Sequence, residues 1–189
     1  MKPTHFNVKI PVKAYIWKYL AARYGFPLEV KASTSFGDIV LTKLKDTTKT
    51  KLSSYDLNIK LRSYNSVLRV LIPWDYLYRI NQELSPSVIV RLNNFFENQF
   101  REELHRYVQA LTDTGETVKE AIEKFAEKYG IELDEDVSFD CLKKMEYRDR
   151  IAVKTASQIP DAVKADISYL SNVVRRFQQA TGRNQLSLF

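Results

Sequence analysis

Apolar residues alternate with polar ones from Phe6 through Val8 and Ile10 to Val12, the period-two pattern of a strand with one buried face. The period then changes. Ile16, Tyr19, Leu20 and Tyr24 fall three or four apart and predict an amphipathic helix over 13–24, stopped by Gly25 and Pro27. Thr34 or Ser35 is placed to cap a second helix carrying Phe36, Ile39, Val40 and Leu44, and the polar stretch 46–54 reads as an exposed loop. Tyr55, Leu57, Ile59 and Leu61 alternate with Asp56, Asn58, Lys60 and Arg62, and a second run over 67–72 follows across Ser63-Tyr64-Asn65-Ser66. That pair of runs predicts a β-hairpin.

Pro73 ends the hairpin, and a helix is expected over 74–84. Ser85 and Pro86 supply the cap and first turn of the longest helix. Its apolar face is Ile89, Leu92, Phe95, Phe96, Phe100, Leu104, Val108 and Leu111, continuing to Gly115, which makes it roughly 25 residues or about 37 Å long. Thr117 and Glu120 have capping-box spacing before Ile122, Phe125, Ala126 and Tyr129, with Gly130 as the stop. Ser138 precedes a further helix bearing Phe139, Leu142 and Met145, and after a mixed stretch Asp161 opens a last one with Val163, Ile167, Leu170, Val174 and Phe177 in a stripe. The order predicts an α+β fold: a small N-terminal sheet with a β-hairpin, a long central helix and a helical C-terminal half. The expected divisions are a basic α+β core over 1–111, a helical hairpin over 112–150, a C-terminal helix over 151–182 and a tail over 183–189.

Composition adds that this is a chain with a core, since 44% of its 189 residues are hydrophobic and 12% aromatic. The first ten residues hold no unbroken apolar run, and nowhere do about 18 apolar residues pass without a charge, so no leader and no membrane span are expected. The expected location is the cytoplasm. One cysteine, Cys141, cannot form an intramolecular disulfide, in keeping with a reducing compartment.

Net charge is +6, unevenly spread: residues 1–111 hold 17 basic against 9 acidic side chains, 112–150 hold 7 against 12, and 151–189 hold 5 against 2. A basic first half suits phosphate contact. One candidate surface joins the loop lysines Lys43, Lys45, Lys49 and Lys51 to the hairpin's Lys60, Arg62 and Arg69, with Tyr64 at the turn to stack on a base. An ordinary solvated edge explains the same lysines. A second candidate is a helix-turn-helix over 117–150 that presents Lys143, Lys144, Arg148 and Arg150. Against it stand Glu132, Asp134, Glu135 and Asp136 in the turn, and Glu120, Glu123 and Glu127 on the first helix, which favour a plain helical hairpin.

Catalytic signals are missing. With one cysteine and two histidines, His5 and His105, a multi-ligand Cys/His zinc site is not expected, and His105 reads as a helix-surface residue. No Gly-rich phosphate loop or nucleophile elbow stands in the chain, and the glycines read as stops or turns. The expectation is a non-enzymatic protein without cofactor, metal or small-molecule substrate.

The remaining signal is at the end of the sequence. Gln185, Leu186, Ser187, Leu188 and Phe189 follow the helix-ending Gly182, Arg183 and Asn184, and three of the five are apolar where chain ends are usually polar. The string resembles the Gln-Leu-Ser/Asp-Leu-Phe motif by which bacterial polymerases, repair proteins and replication regulators dock on the sliding clamp of DNA polymerase III, and it matches at every position. At average residue usage such a string arises at on the order of one position in a million. The resemblance implies that Leu188 and Phe189 fill the clamp's hydrophobic pocket while the Gln185 amide binds a shallower subsite. The alternative is that Leu186, Leu188 and Phe189 cap the protein's own core. More loosely, the Tyr129-Gly130-Ile131 segment and the Lys143 to Arg150 run are similar to those of small phage and mobile-element proteins. The expectation is an accessory protein of phage or mobile-element DNA replication, as recruiter or clamp-pocket competitor, and its rival is a DNA-binding transcriptional regulator using the basic hairpin or helix-turn-helix.

Overall fold

A computed structural model describes residues 4–45, 53–80 and 84–157. The chain divides into two compact units, Met1–Asp149 and Arg150–Phe189, and the architecture below is that of the first. Its elements are β1 (His5–Val12), α1 (Ala14–Tyr24), β2 (Leu28–Glu29), α2 (Ser35–Lys45), α3 (Ser54–Arg62), β3 (Ser66–Pro73), α4 (Pro86–Asp113) and α5 (Val118–Lys128). The last helix, α6 (Phe139–Ser157), begins in this unit. The sheet, the 28-residue α4 and the helices after it form the expected α+β arrangement.

The expected hairpin is not there. Residues 54–62 are helical, and β3 instead pairs antiparallel with β1, placing Lys9 opposite Arg69 and Ile10 opposite Leu68. Ser53 starts α3 by accepting the Asp56 amide at 3.2 Å and bonding the Asp56 carboxylate at 2.6 Å. The apolar residues that suggested a strand are poorly covered, with Tyr55 73% and Ile59 52% exposed. Their alternation was therefore no sign of a buried face. Both edges of β3 are also taken, because β2 pairs with it in parallel, Leu28 opposite Val70. That two-residue strand is too short to leave a periodic signal. Over 74–84, the expected helix is a 3-10 helix limited to Trp74–Arg79.

Caps were readable and form as their chemistry dictates. Thr34 Oγ1 accepts the Gly37 amide at 3.0 Å, Ser85 Oγ accepts the Val88 amide, and the Thr117–Glu120 box closes in both directions. Gly37 is no stop or turn but lies in the first turn of α2, where an added Cβ would meet the Lys31 carbonyl oxygen at 2.0 Å. Gly130, at φ +62°, does end its helix. The first turn of α1 borrows its cap from afar: the Ala14 amide donates to Asn65 Oδ1 at 2.9 Å, tying the start of α1 to the entry of β3.

Phe6, Val8, Ile10 and Val12 of β1 and Leu68, Val70 and Ile72 of β3 point to one side and are buried with α1, α2, α4 and α5. Phe100 of α4 is the hub of the aromatic packing, with ring centroids 5.0 Å from Tyr15, 5.4 Å from Tyr19 and 5.4 Å from Phe125. Buried Asn93 interrupts the apolar face of α4, donating to the Pro11 carbonyl of β1 at 2.8 Å and to the Ile89 carbonyl at 2.9 Å. His105 is not a surface residue: it is half-buried, its Nδ1 3.9 Å from the carboxylate of buried Glu146.

Where α1, α4 and α5 meet, Glu103 takes the Arg23 guanidinium at 2.7 Å and the Tyr129 hydroxyl at 3.0 Å. Burial works against its charge, yet the hydrogen bonds from Arg23 and Tyr129 win and hold the Glu103 carboxyl below its ordinary 4.5. Tyr129 is in turn pushed up to about 12 by burial and by its bond to Glu103. A depressed carboxyl stabilises the fold above its unfolded value, and that contribution is lost as pH falls through the folded one. Glu103→Gln is therefore expected to lower stability by about 1 kcal/mol at neutral pH. In urea titrations the gap to the parent should close as pH drops below the ordinary 4.5.

Candidate nucleic-acid interface

The basic residues singled out in the sequence are dispersed by the fold. Lys43 and Lys45 are half-buried on α2, their ammonium groups 5.7 Å from the Phe95 ring and 4.4 Å from the Tyr76 ring, so each is spent on packing within the unit. Lys60 and Arg62 occupy the last turn of α3, where cations complement the helix's own carbonyl end. Tyr64 is no exposed stacking platform: it is half-buried, and burial, then the Glu97 charge, raises its hydroxyl to about 12. Lys49 and Lys51 lie outside the described residues, as do Gln185, Leu186, Ser187, Leu188 and Phe189. Lys143, Lys144 and Arg148 are exposed on α6 and Arg150 is half-buried. Of these, Lys144 and Arg148 line a cavity of about 270 Å³ with Arg101 of α4 and with Asp140, whose charge offsets part of theirs.

Residues 129–138 between α5 and α6 do not make a helix-turn-helix turn, which takes three or four residues. They form a closed loop in which the Asp134 amide donates to the Val137 carbonyl at 3.0 Å and the Asp136 amide to the Glu132 carbonyl at 2.9 Å. Two of its four acids bond a lysine. Lys18 of α1 reaches Asp136 at 2.6 Å and Glu132 at 2.7 Å, which raises its own pKa, through Asp136 first. The bond from Lys18 holds the Glu132 carboxyl down, and Glu132 pushes its neighbour Glu135 up. The acidic run is thus a clasp between α1 and the start of α6. Among the described residues no group of three or more His, Cys, Asp or Glu side chains is placed to hold a metal, and no helix is long and apolar enough to cross a membrane.

The arrangement that does gather cations was only partly foreseen, through Arg69. Among the described residues one face of the sheet carries no helix, and its rows run His5–Pro73, Asn7–Leu71–Glu29, Lys9–Arg69 and Pro11–Val67. At one end Glu29 is flanked by His5 at 3.7 Å and Lys31 at 3.6 Å. At the other, Lys9 and Arg69 stand opposite one another, both exposed and without an acidic partner among the described residues. They open onto a groove of about 730 Å³ whose walls include Trp17, Phe26, Val67 and the Lys18–Asp136 pair. Phe26 is 47% exposed, meets Trp17 edge to face at 5.4 Å, and is joined to Pro27 by a cis peptide bond. Lys9, Trp17, Lys18 and Phe26 were missed because the groove exists only once β1 pairs with β3. Pairing the run over 6–12 with that over 67–72 would have exposed the Lys9–Arg69 coincidence.

Replacing Lys18 by Met should release the clasp without disturbing the core, since its partners belong to a surface loop. The expected result is faster amide exchange at Asp134 and Asp136, with protection of α4 unchanged. No protein-family model, no curated protein and no solved structure matches this chain.

Proposed function

We propose that this protein is a non-enzymatic accessory factor that docks on the bacterial DNA sliding clamp through Gln185, Leu186, Ser187, Leu188 and Phe189. The observation that carries the reading is that five-residue run, which agrees with the clamp-binding motif at every position. Its chemistry fits a peptide ligand: Leu188 and Phe189 supply apolar anchors for a pocket, and Gln185 an amide to fix register. Phage or mobile-element replication is the setting we assign, on the looser likeness of the Lys143 to Arg150 run.

A pentapeptide offers few atoms to offset the ordering of its backbone, so its affinity alone is modest and its exchange fast. That suits either a recruiter, which brings the rest of the chain to the clamp, or a competitor, which denies the pocket to another clamp client. Isothermal titration of purified clamp with the full chain and with Leu188→Ala/Phe189→Ala separates binding from its absence. We expect at least about a tenfold loss in the variant, equivalent to 1.4 kcal/mol or more. Equal binding by the variant, or none by the parent, would overturn the docking role. Displacement of a bound clamp-motif peptide by the parent, and by it alone, would identify the clamp pocket as the place of binding.

A further inference from the structure

The helix-free face of the sheet holds two features that stability alone does not account for. Like charges directly opposite on neighbouring strands repel, yet Lys9 and Arg69 are register partners on β1 and β3. Other cations of the unit do have acidic partners: Lys13 bonds Glu97 at 2.7 Å, Lys18 bonds Asp136 at 2.6 Å and Lys124 bonds Glu116 at 2.7 Å. Beside the unmatched pair, Phe26 and Val67 leave 47% and 51% of their surfaces in solvent and Trp17 is only half covered.

We infer that this face is a binding site for single-stranded nucleic acid, in which Lys9 and Arg69 take the phosphates and Phe26, against Trp17, stacks on a base. An anion between the two cations converts their repulsion into attraction. Acidic peptides would satisfy the charges but leave the aromatic wall idle, whereas a nucleotide strand presents a phosphate and a planar face at every step. A duplex keeps its bases stacked on one another, so it offers this wall nothing to stack on. The groove, at about 730 Å³, has the size of a site that holds a small organic group such as one nucleotide. Asp136, the acid on its rim, is bonded to Lys18 at 2.6 Å, a cation it shares with Glu132, so its repulsion of phosphate is reduced and is outweighed by Lys9 and Arg69.

The test is fluorescence anisotropy of the full chain with labelled oligodeoxyuridylate and oligouridylate of twelve nucleotides, at several salt concentrations. Salt-sensitive binding is expected, and its two arms show whether the sugar matters. Lys9→Ala/Arg69→Ala should weaken it at least about tenfold and flatten the logarithmic salt slope by about 1.4, two phosphates at about 0.7 each. Phe26→Ala should weaken it by about five- to a hundredfold and leave that slope unchanged. Since the double variant removes a repulsion, its thermal midpoint should be no lower than the parent's, so lost binding is not lost folding. Lys119→Ala, exposed on α5 and not part of the groove's lining, should bind as the parent does. No binding by the parent, the same loss in Lys119→Ala as in the double variant, or equal competition by polyglutamate would each overturn the assignment. All these variants keep residues 185–189, so the outcome is independent of the clamp titration.

Discussion

β3 is the strand on which the first unit hangs. It is paired on both edges, antiparallel to β1 and parallel to β2, and its alternate residues Leu68, Val70 and Ile72 are fully buried. The described helices pack on the side to which those residues point. From that one-sided burial follow the position of α1 and α4, the aromatic hub at Phe100, and the open face where Arg69 meets Lys9. Asn93 and Asn65 fasten the arrangement at one end of the sheet, one to the Pro11 carbonyl of β1 and one to the first turn of α1. Burying the Asn93 side-chain nitrogen is costly unless its N–H groups are hydrogen bonded, so its two donated bonds discriminate against a slipped register of α4 on the sheet.

Local signals in the sequence were legible where one residue's chemistry decides the outcome. Caps at Thr34, Ser85 and Thr117 and the stop at Gly130 depend on hydrogen bonds within four residues, and each sits where the residue types placed it. Periodicity served β1 and α4 because burial imposes it. It failed at 54–62, where the apolar residues are half-buried or exposed and so carry no constraint on which face they occupy. There the cap at Ser53 was the better guide. Gly37 was misread because its reason for being glycine is a contact with the Lys31 carbonyl, which precedes the helix rather than lying within it.

The candidate site was harder to foresee for the same reason. Charge in the sequence counts lysines wherever they fall, while the fold spends most of them: Lys43 and Lys45 on aromatic rings, Lys60 and Arg62 at a helix end, Lys18 on an acidic loop. Of the acidic loop that argued against nucleic-acid contact, Glu132 and Asp136 are bonded to Lys18. What matters for a phosphate is the charge left over at one place, since at physiological salt exposed charges are screened beyond about 8 Å. By that measure the net charge of +6 is a poor guide and the unmatched Lys9–Arg69 pair a better one.

The two roles assigned to this chain reinforce each other physically. A five-residue peptide and a groove with two cations are each weak ligands, and neither alone would hold the protein on a replicating template for long. Joined in one chain, the second contact forms at an effective concentration set by the first, so that overall affinity multiplies without any new interaction. The gain requires both surfaces to remain free of the protein's own side chains. The Lys9–Arg69 juxtaposition fits such a requirement: a matched acid would stabilise the sheet but close the proposed site, whereas a phosphate from outside would relieve the same repulsion and leave the site open in its absence.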